Sequence, residues 1–161
     1  VDRRRSTRHH RGVLPHQPDR DGAGTERSEA TFAADGLATD DVVALLRHGL
    51  EVAGHRCGRA TDLGGPVSLR VRVGRRDFGL LLGPLPDDDR WLVAVSSGVR
   101  PVMRLLGDRA DTPRRTLTGA IHDVLAAHPA VGDLRWWTPV DRRDHPDRWA
   151  RHPHDAAPGD A

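Results

Sequence analysis

Residues Val67 to Val73 (VSLRVRV) alternate without exception: Val67, Leu69, Val71 and Val73 point one way, Ser68, Arg70 and Arg72 the other. A period of two belongs to an extended chain with one buried face, so this segment is a strand lining an apolar core. Gly74-Arg75-Arg76-Asp77 makes a short polar turn into a second strand, FGLLL, from Phe78 to Leu82. The stretch Gly83 to Asp89 (GPLPDDD) cannot continue it, and WLVAVSS, Trp91 to Ser97, is a third. Three strands joined by short polar connections form an antiparallel meander.

Helical periodicity brackets the meander. Val42, Leu45, Leu46, Leu50 and Ala53 recur on one helical face, with Thr39 as N-cap, Asp40 and Asp41 in the first turn, and Gly54 at the end. A second long helix opens at Thr112-Pro113, carries Leu117, Ile121, Val124, Leu125 and His128 on one face, and closes at His128-Pro129. Between them, VMRLLG after Pro101 is ambiguous between a short helix and an irregular turn. LRWWTPV, Leu134 to Val140, reads as a fourth strand that ends, or lies at an edge, at Pro139. The expectation is an α+β, two-layer fold: an antiparallel sheet of about four strands and two main helices, in the order α-β-β-β-(short)-α-β.

Beyond this core the composition changes. Residues 1–38 are rich in Arg, His, Asp, Gly, Ser and Thr, too polar to offset chain entropy by burial, and read as a disordered tail. The chain opens on Val, which fits a fragment, a GTG start rendered as Val, or a start assigned too far upstream. Residues 39–150 form the single expected domain, and 151–161 (RHPHDAAPGDA) a second tail.

Composition excludes several function classes. All 25 basic residues are Arg, and Lys, Asn and Tyr are missing, a pattern of GC-rich coding. The formal charge of +2 is too balanced to indicate an anionic partner. Cys57 is the single cysteine, so neither an intramolecular disulfide nor a cysteine zinc cage can form, and a cytoplasmic location is expected. No stretch approaches the ~18 apolar residues of a spanning helix, and no apolar run follows Asp2-Arg3-Arg4-Arg5 as a signal peptide requires.

Four groups of residues could carry chemistry. The second and third strands are apolar on both faces, with Leu81 opposing Phe78, Leu80 and Leu82, and Trp91, Val93 and Val95 opposing Leu92 and Ala94. A sheet with one wet face alternates more cleanly, so the second face is covered by the last helix, by the segment holding Trp149, or by another chain. Trp136 and Trp137 are adjacent and must face opposite sides, which makes the outward one a partner-binding candidate beside Trp91 and Leu81. Packing of that ring against Pro146 or Trp149 is the simpler expectation.

Arg70, Arg72, Arg75 and Arg76 form a candidate anion-binding face, which Asp77 and Asp87 to Asp89 would partly neutralise. His145, His152 and His154 are candidate metal ligands by type, on a Pro-rich segment ill suited to rigid ligation. The chain has no nucleophile elbow, phosphate loop, dinucleotide fingerprint or His-Glu-x-x-His motif, and no cofactor is expected. Its element order is similar to that of secretion-chaperone-like and toxin-immunity-like modules, a likeness of order that no motif carries. The expected function is that of a small non-enzymatic binding or accessory module acting through protein contact, as a homodimer or with an unknown partner protein. An anion or nucleic-acid binder is the alternative, and a histidine-based metalloenzyme a weaker one.

Overall fold

The computed structural model describes residues 26–86, 89–97 and 111–155. The chain runs β1 (Glu29–Ala34), α1 (Thr39–Val52), β2 (Arg56–Asp62), β3 (Val67–Val73), β4 (Arg76–Pro84), β5 (Trp91–Ser97), α2 (Asp111–Ala126), β6 (Val131–Trp137) and α3 (Pro139–Asp144). This is an α+β fold with three helices and one six-stranded sheet, in the order β2-β3-β4-β5-β1-β6, every neighbouring pair antiparallel.

The sheet therefore has six strands where about four were expected. The two additions have separate causes. β1 (EATFAA) falls inside the 1–38 stretch that composition marks as a tail, and its core-facing positions are Ala30, Phe32 and Ala34. Two alanines and one aromatic give almost no hydropathy contrast, so the alternation is real but silent. β2 (RCGRATD) is an edge strand with an irregular register between Cys57 and Ala60, and it is mostly exposed. Edges of this kind are polar and bulged, and lack the apolar period that identifies an inner strand.

The meander is where the sequence put it. Val67, Leu69 and Val71 of β3 register with Leu82, Leu80 and Phe78 of β4, and Leu80 and Leu82 register with Val95 and Val93 of β5. A two-residue loop, Gly74-Arg75, joins β3 to β4, and the φ of 58° at Gly74 is the conformation that favours glycine there. The last strand starts and ends earlier than expected: β6 covers Val131–Trp137, and Pro139 opens α3 instead of ending a strand. The segment Val102 to Gly107, residues 1–25 and residues 156–161 lie outside the described residues.

α1 and α2 pack side by side on one sheet face. Val42, Leu46 and Leu50 of α1 and Leu117, Ile121 and Leu125 of α2 are buried against Phe32, Val71, Leu80 and Val93. The α1 start is displaced by one residue from expectation. Ala38 is the N-cap, and its N–H donates to the Asp41 carboxylate at 3.0 Å, so the acidic first turn caps the helix. At the other end His55 N–H donates to Leu50 O (2.9 Å) and Gly54 N–H to Glu51 O (3.0 Å), with Gly54 at φ 87°, a Schellman ending.

Gly49 marks the closest approach of the two helices: a methyl added there would overlap both γ-methyls of Val124. Gly49→Ala is expected to destabilise the protein by about 1–2 kcal/mol, because overpacking outweighs the gain in helix propensity. Adding Val124→Ala should recover at least about 1 kcal/mol of that loss, read as the coupling in a urea-unfolding double-mutant cycle.

Candidate functional site

The strand register sorts the outer side chains, those facing away from α1 and α2, into rows. Ser68, Leu81, Ala94, Glu29 and Trp137 form one row across β3, β4, β5, β1 and β6. Gly83, Leu92, Thr31 and Arg135 form the next. On the other side lie Arg70, Gly79 and Ser96, then Arg72 and Asp77.

The half of this face over β1 and β6 is closed by the chain itself. Thr138 caps α3, its Oγ1 accepting from Asp141 N–H at 3.0 Å, and Arg142 of α3 donates to the Glu29 carboxylate. The Trp137 indole donates to Pro146 O at 3.3 Å, and the Arg135 guanidinium lies over the Trp149 ring, 4.9 Å from its centroid. Arg90 braces the same region by donating to Thr31 Oγ1 (3.0 Å), to Asp133 O (2.6 Å) and to the Asp133 carboxylate. Hydrogen bonds from Arg135 and then Arg90 hold the Asp133 carboxyl below the usual carboxylate range.

That closure decides the fate of the aromatic candidates. Trp136 is wholly buried in the core, Trp91 sits in the core row opposite Phe32, and Trp137, the outward member of the pair, is 5% exposed beneath the C-terminal segment. None of the three offers a free ring. Leu81 does offer a free side chain: it is 40% exposed, with Leu92 and Ala94 half-buried beside it.

The four arginines do not share a surface. Arg70 and Arg72 stand on the outer face, Arg75 is in the hairpin loop, and Arg76 registers with Val73 on the helix side. Arg72 donates twice to Asp77, at 2.8 and 3.1 Å, and this bond holds the Asp77 carboxyl below its ordinary value. The basic features of this end of the outer face are thus Arg70 and Arg56, which registers with Arg72, beside the Arg72–Asp77 pair.

The histidines separate as well. His145 is the C-cap of α3, its N–H donating to Asp141 O at 2.7 Å. His152 and His154 lie instead against α2, where they meet His122. Among the described residues, no three His, Cys, Asp or Glu side chains are grouped to hold a metal ion. Cys57 is a half-buried thiol whose pKa is pushed up by burial and by Glu51, the opposite of nucleophile activation.

Two concavities lie among the described residues on the helix side and at the chain end. A shallow groove of about 530 Å³ between α1 and α2 is lined by Gly49, Val52, Ala53, Gly119, Ala120 and Val124 among others. A cleft of about 90 Å³ lies between Arg27, Arg114 and Thr118 on one side and Pro153 and His154 on the other. Neither gathers a nucleophile, base and oxyanion donor of the kind that catalysis needs.

No protein-family model matches the chain, and neither does any curated protein or solved structure. The residues themselves carry the functional argument.

The cover over Trp137 depends on the α3 cap. Thr138→Ala is expected to cost about 1 kcal/mol in urea unfolding. It should also raise acrylamide quenching of tryptophan fluorescence as α3 frays from Trp137.

Proposed function

We propose that this protein is a small binding or accessory module that holds a partner protein on the outer face of β3, β4 and β5. One observation carries the reading: the outer face is covered by the chain itself over β1 and β6, yet Leu81 in the same row is 40% exposed beside half-buried Leu92 and Ala94. A sheet face that is half sealed and half apolar is more economical as an interface than as bare surface.

The chemistry of the surface states what fits. Leu81 stands at the centre, Ser68 and Ser96 offer hydroxyls at the rim, and Arg70 adds a positive charge at one corner. A complementary partner presents an apolar side chain to Leu81 and a carboxylate to Arg70. An anion or nucleic-acid ligand engaging Arg70 and Arg72 is the second reading. It is weaker because Asp77 already occupies Arg72 and no exposed aromatic stands in these rows for a base to stack on.

The test is native mass spectrometry of the untagged protein from its own host, beside a Leu81→Glu variant checked for a native circular-dichroism spectrum. The expected result is a stoichiometric complex, either a doubled mass or one added chain, that the variant loses. A bare monomer in both samples overturns the reading. Co-purifying nucleic acid that survives Leu81→Glu but dissociates in Arg70→Ala transfers the site to the second reading.

A further inference from the structure

We propose that residues 150–155 form a strap, closed over the edge of β6 and the face of α2 through a cluster of His122, His152 and His154, that protonation of the acceptor rings His122 and His152 releases. Ala150 makes a bridge pair with Trp136: each N–H donates to the other's carbonyl, both at 2.9 Å, and Ala150 thereby occupies the β6 edge. Past it the chain turns onto α2. Pro153 is buried, and His154 Nε2 lies 2.9 Å from Arg115 O and 3.3 Å from Thr118 Oγ1. Gly119 leaves room for the contact: an added methyl carbon there would lie 3.2 Å from His154 Cε1. The guanidinium of Arg27 donates to Asp155 O and fixes the far end.

Three imidazoles lie in series at this junction. The ring centroids of His122 and His152 are 4.4 Å apart, and those of His152 and His154 are 5.0 Å apart, both edge-on. Two of the rings are hydrogen-bond acceptors. His122 Nδ1 accepts from the Trp136 indole N–H at 3.3 Å, and His152 Nδ1 accepts from the His154 N–H at 3.2 Å. A neutral imidazole has one lone pair, and the imidazolium has none. Protonating either ring thus replaces an acceptor with a donor facing a donor, and protonating both adds charge repulsion at 4.4 Å. His154 differs, since its bond to Arg115 O survives protonation.

The charges around the cluster do not cancel this. Asp123 on α2 and Asp155 on the strap favour protonated His122; at His154 the bond to Arg115 O and the Asp155 carboxylate favour the proton, while the Arg115 and His152 charges oppose it. Arg27 and Arg114 face Glu26 and Asp155 in the adjoining cleft, and His55 at the end of α1 borders the groove that His154 and Asp123 also line. Burial first, and the neighbouring rings after it, hold His122 below the ordinary histidine value, and burial does the same for His154. The sign follows: a depressed histidine binds its proton more weakly in the closed state. Strap stability is then complete above the ordinary value of about 6.5 and is lost as pH falls from there through the depressed value.

The test is nuclear magnetic resonance of the full chain from pH 8 to pH 5, reading ring-nitrogen shifts together with amide exchange corrected for its intrinsic pH dependence. Protection of the Ala150 amide should fall by about tenfold per pH unit for each ring whose protonation opens the strap. The Leu46 amide of α1 should keep its protection. A His122→Asn, His152→Asn double variant keeps an acceptor near each Nδ1 position and removes the titration, so its strap should stay protected at pH 5. Protection of Ala150 that does not change with pH in the wild type overturns the proposal, as does an equal loss in the double variant. If the double variant is open at every pH, the wild type still decides. A midpoint of strap opening that departs from the His122 and His152 ring titrations overturns the proposal, and coincidence with them supports it.

Discussion

Backbone pairing of β1 on both of its edges joins parts of the molecule that are otherwise remote in the chain. Glu29 registers with Ala94 on one side and with Trp137 on the other, and Ala30 with Val93 and Trp136. The meander β2 to β5 is local and could assemble from hairpins alone. β6, with α3 and the segment after it, reaches the sheet only through β1. The same strand delivers Phe32 to the core and hands the chain directly to α1, so the apolar stripe of that helix lands over β4 beside α2. Non-local pairings of this kind must meet loop-closure entropy before they are rewarded, so β1 pairs at a higher entropic cost than the local hairpins.

The legible parts of the fold were those in which burial and hydropathy contrast coincide. β3 alternates between branched aliphatics and charged or hydroxyl residues, and every inward position is buried. The α1 stripe is equally clear, and its misplaced cap arose because Asp41 reaches back to Ala38 more favourably than Thr39 caps from its own side chain. β1 was hidden for the opposite reason: a central strand can be built from alanines when large neighbours, Trp91 and Trp136, fill the space above it. The end of β6 was misjudged because Pro139 reads equally as a strand terminator and as the first residue of a helix, and Thr138 decides between them by capping.

The candidate surface was legible only in outline. Apolar residues on both faces of the second and third strands signalled a second contact layer, and adjacency forced Trp136 and Trp137 apart. What covers each ring depends on long-range packing: Pro146 and Trp149 lie on the outer side, and His122 lies beneath Trp136. The grouping of His122 with His152 and His154 had no signal in spacing, because it is created where the chain end crosses a helix some thirty positions earlier.

The two edges of the sheet are unequal, and this limits how such molecules can line up. At β6 the edge is shared at Trp136 with Ala150, whereas among the described residues β2 pairs only with β3, along a strand interrupted by a register shift and carrying Arg56, Arg59 and Asp62. The bridge takes up one residue pair of the β6 edge, so that edge is the less available of the two for pairing with a neighbour. Growth into a fibre requires two open edges on every unit. The short bridge at Ala150 thus blunts the sheet at the end of β6 where Trp136 and Trp137 lie.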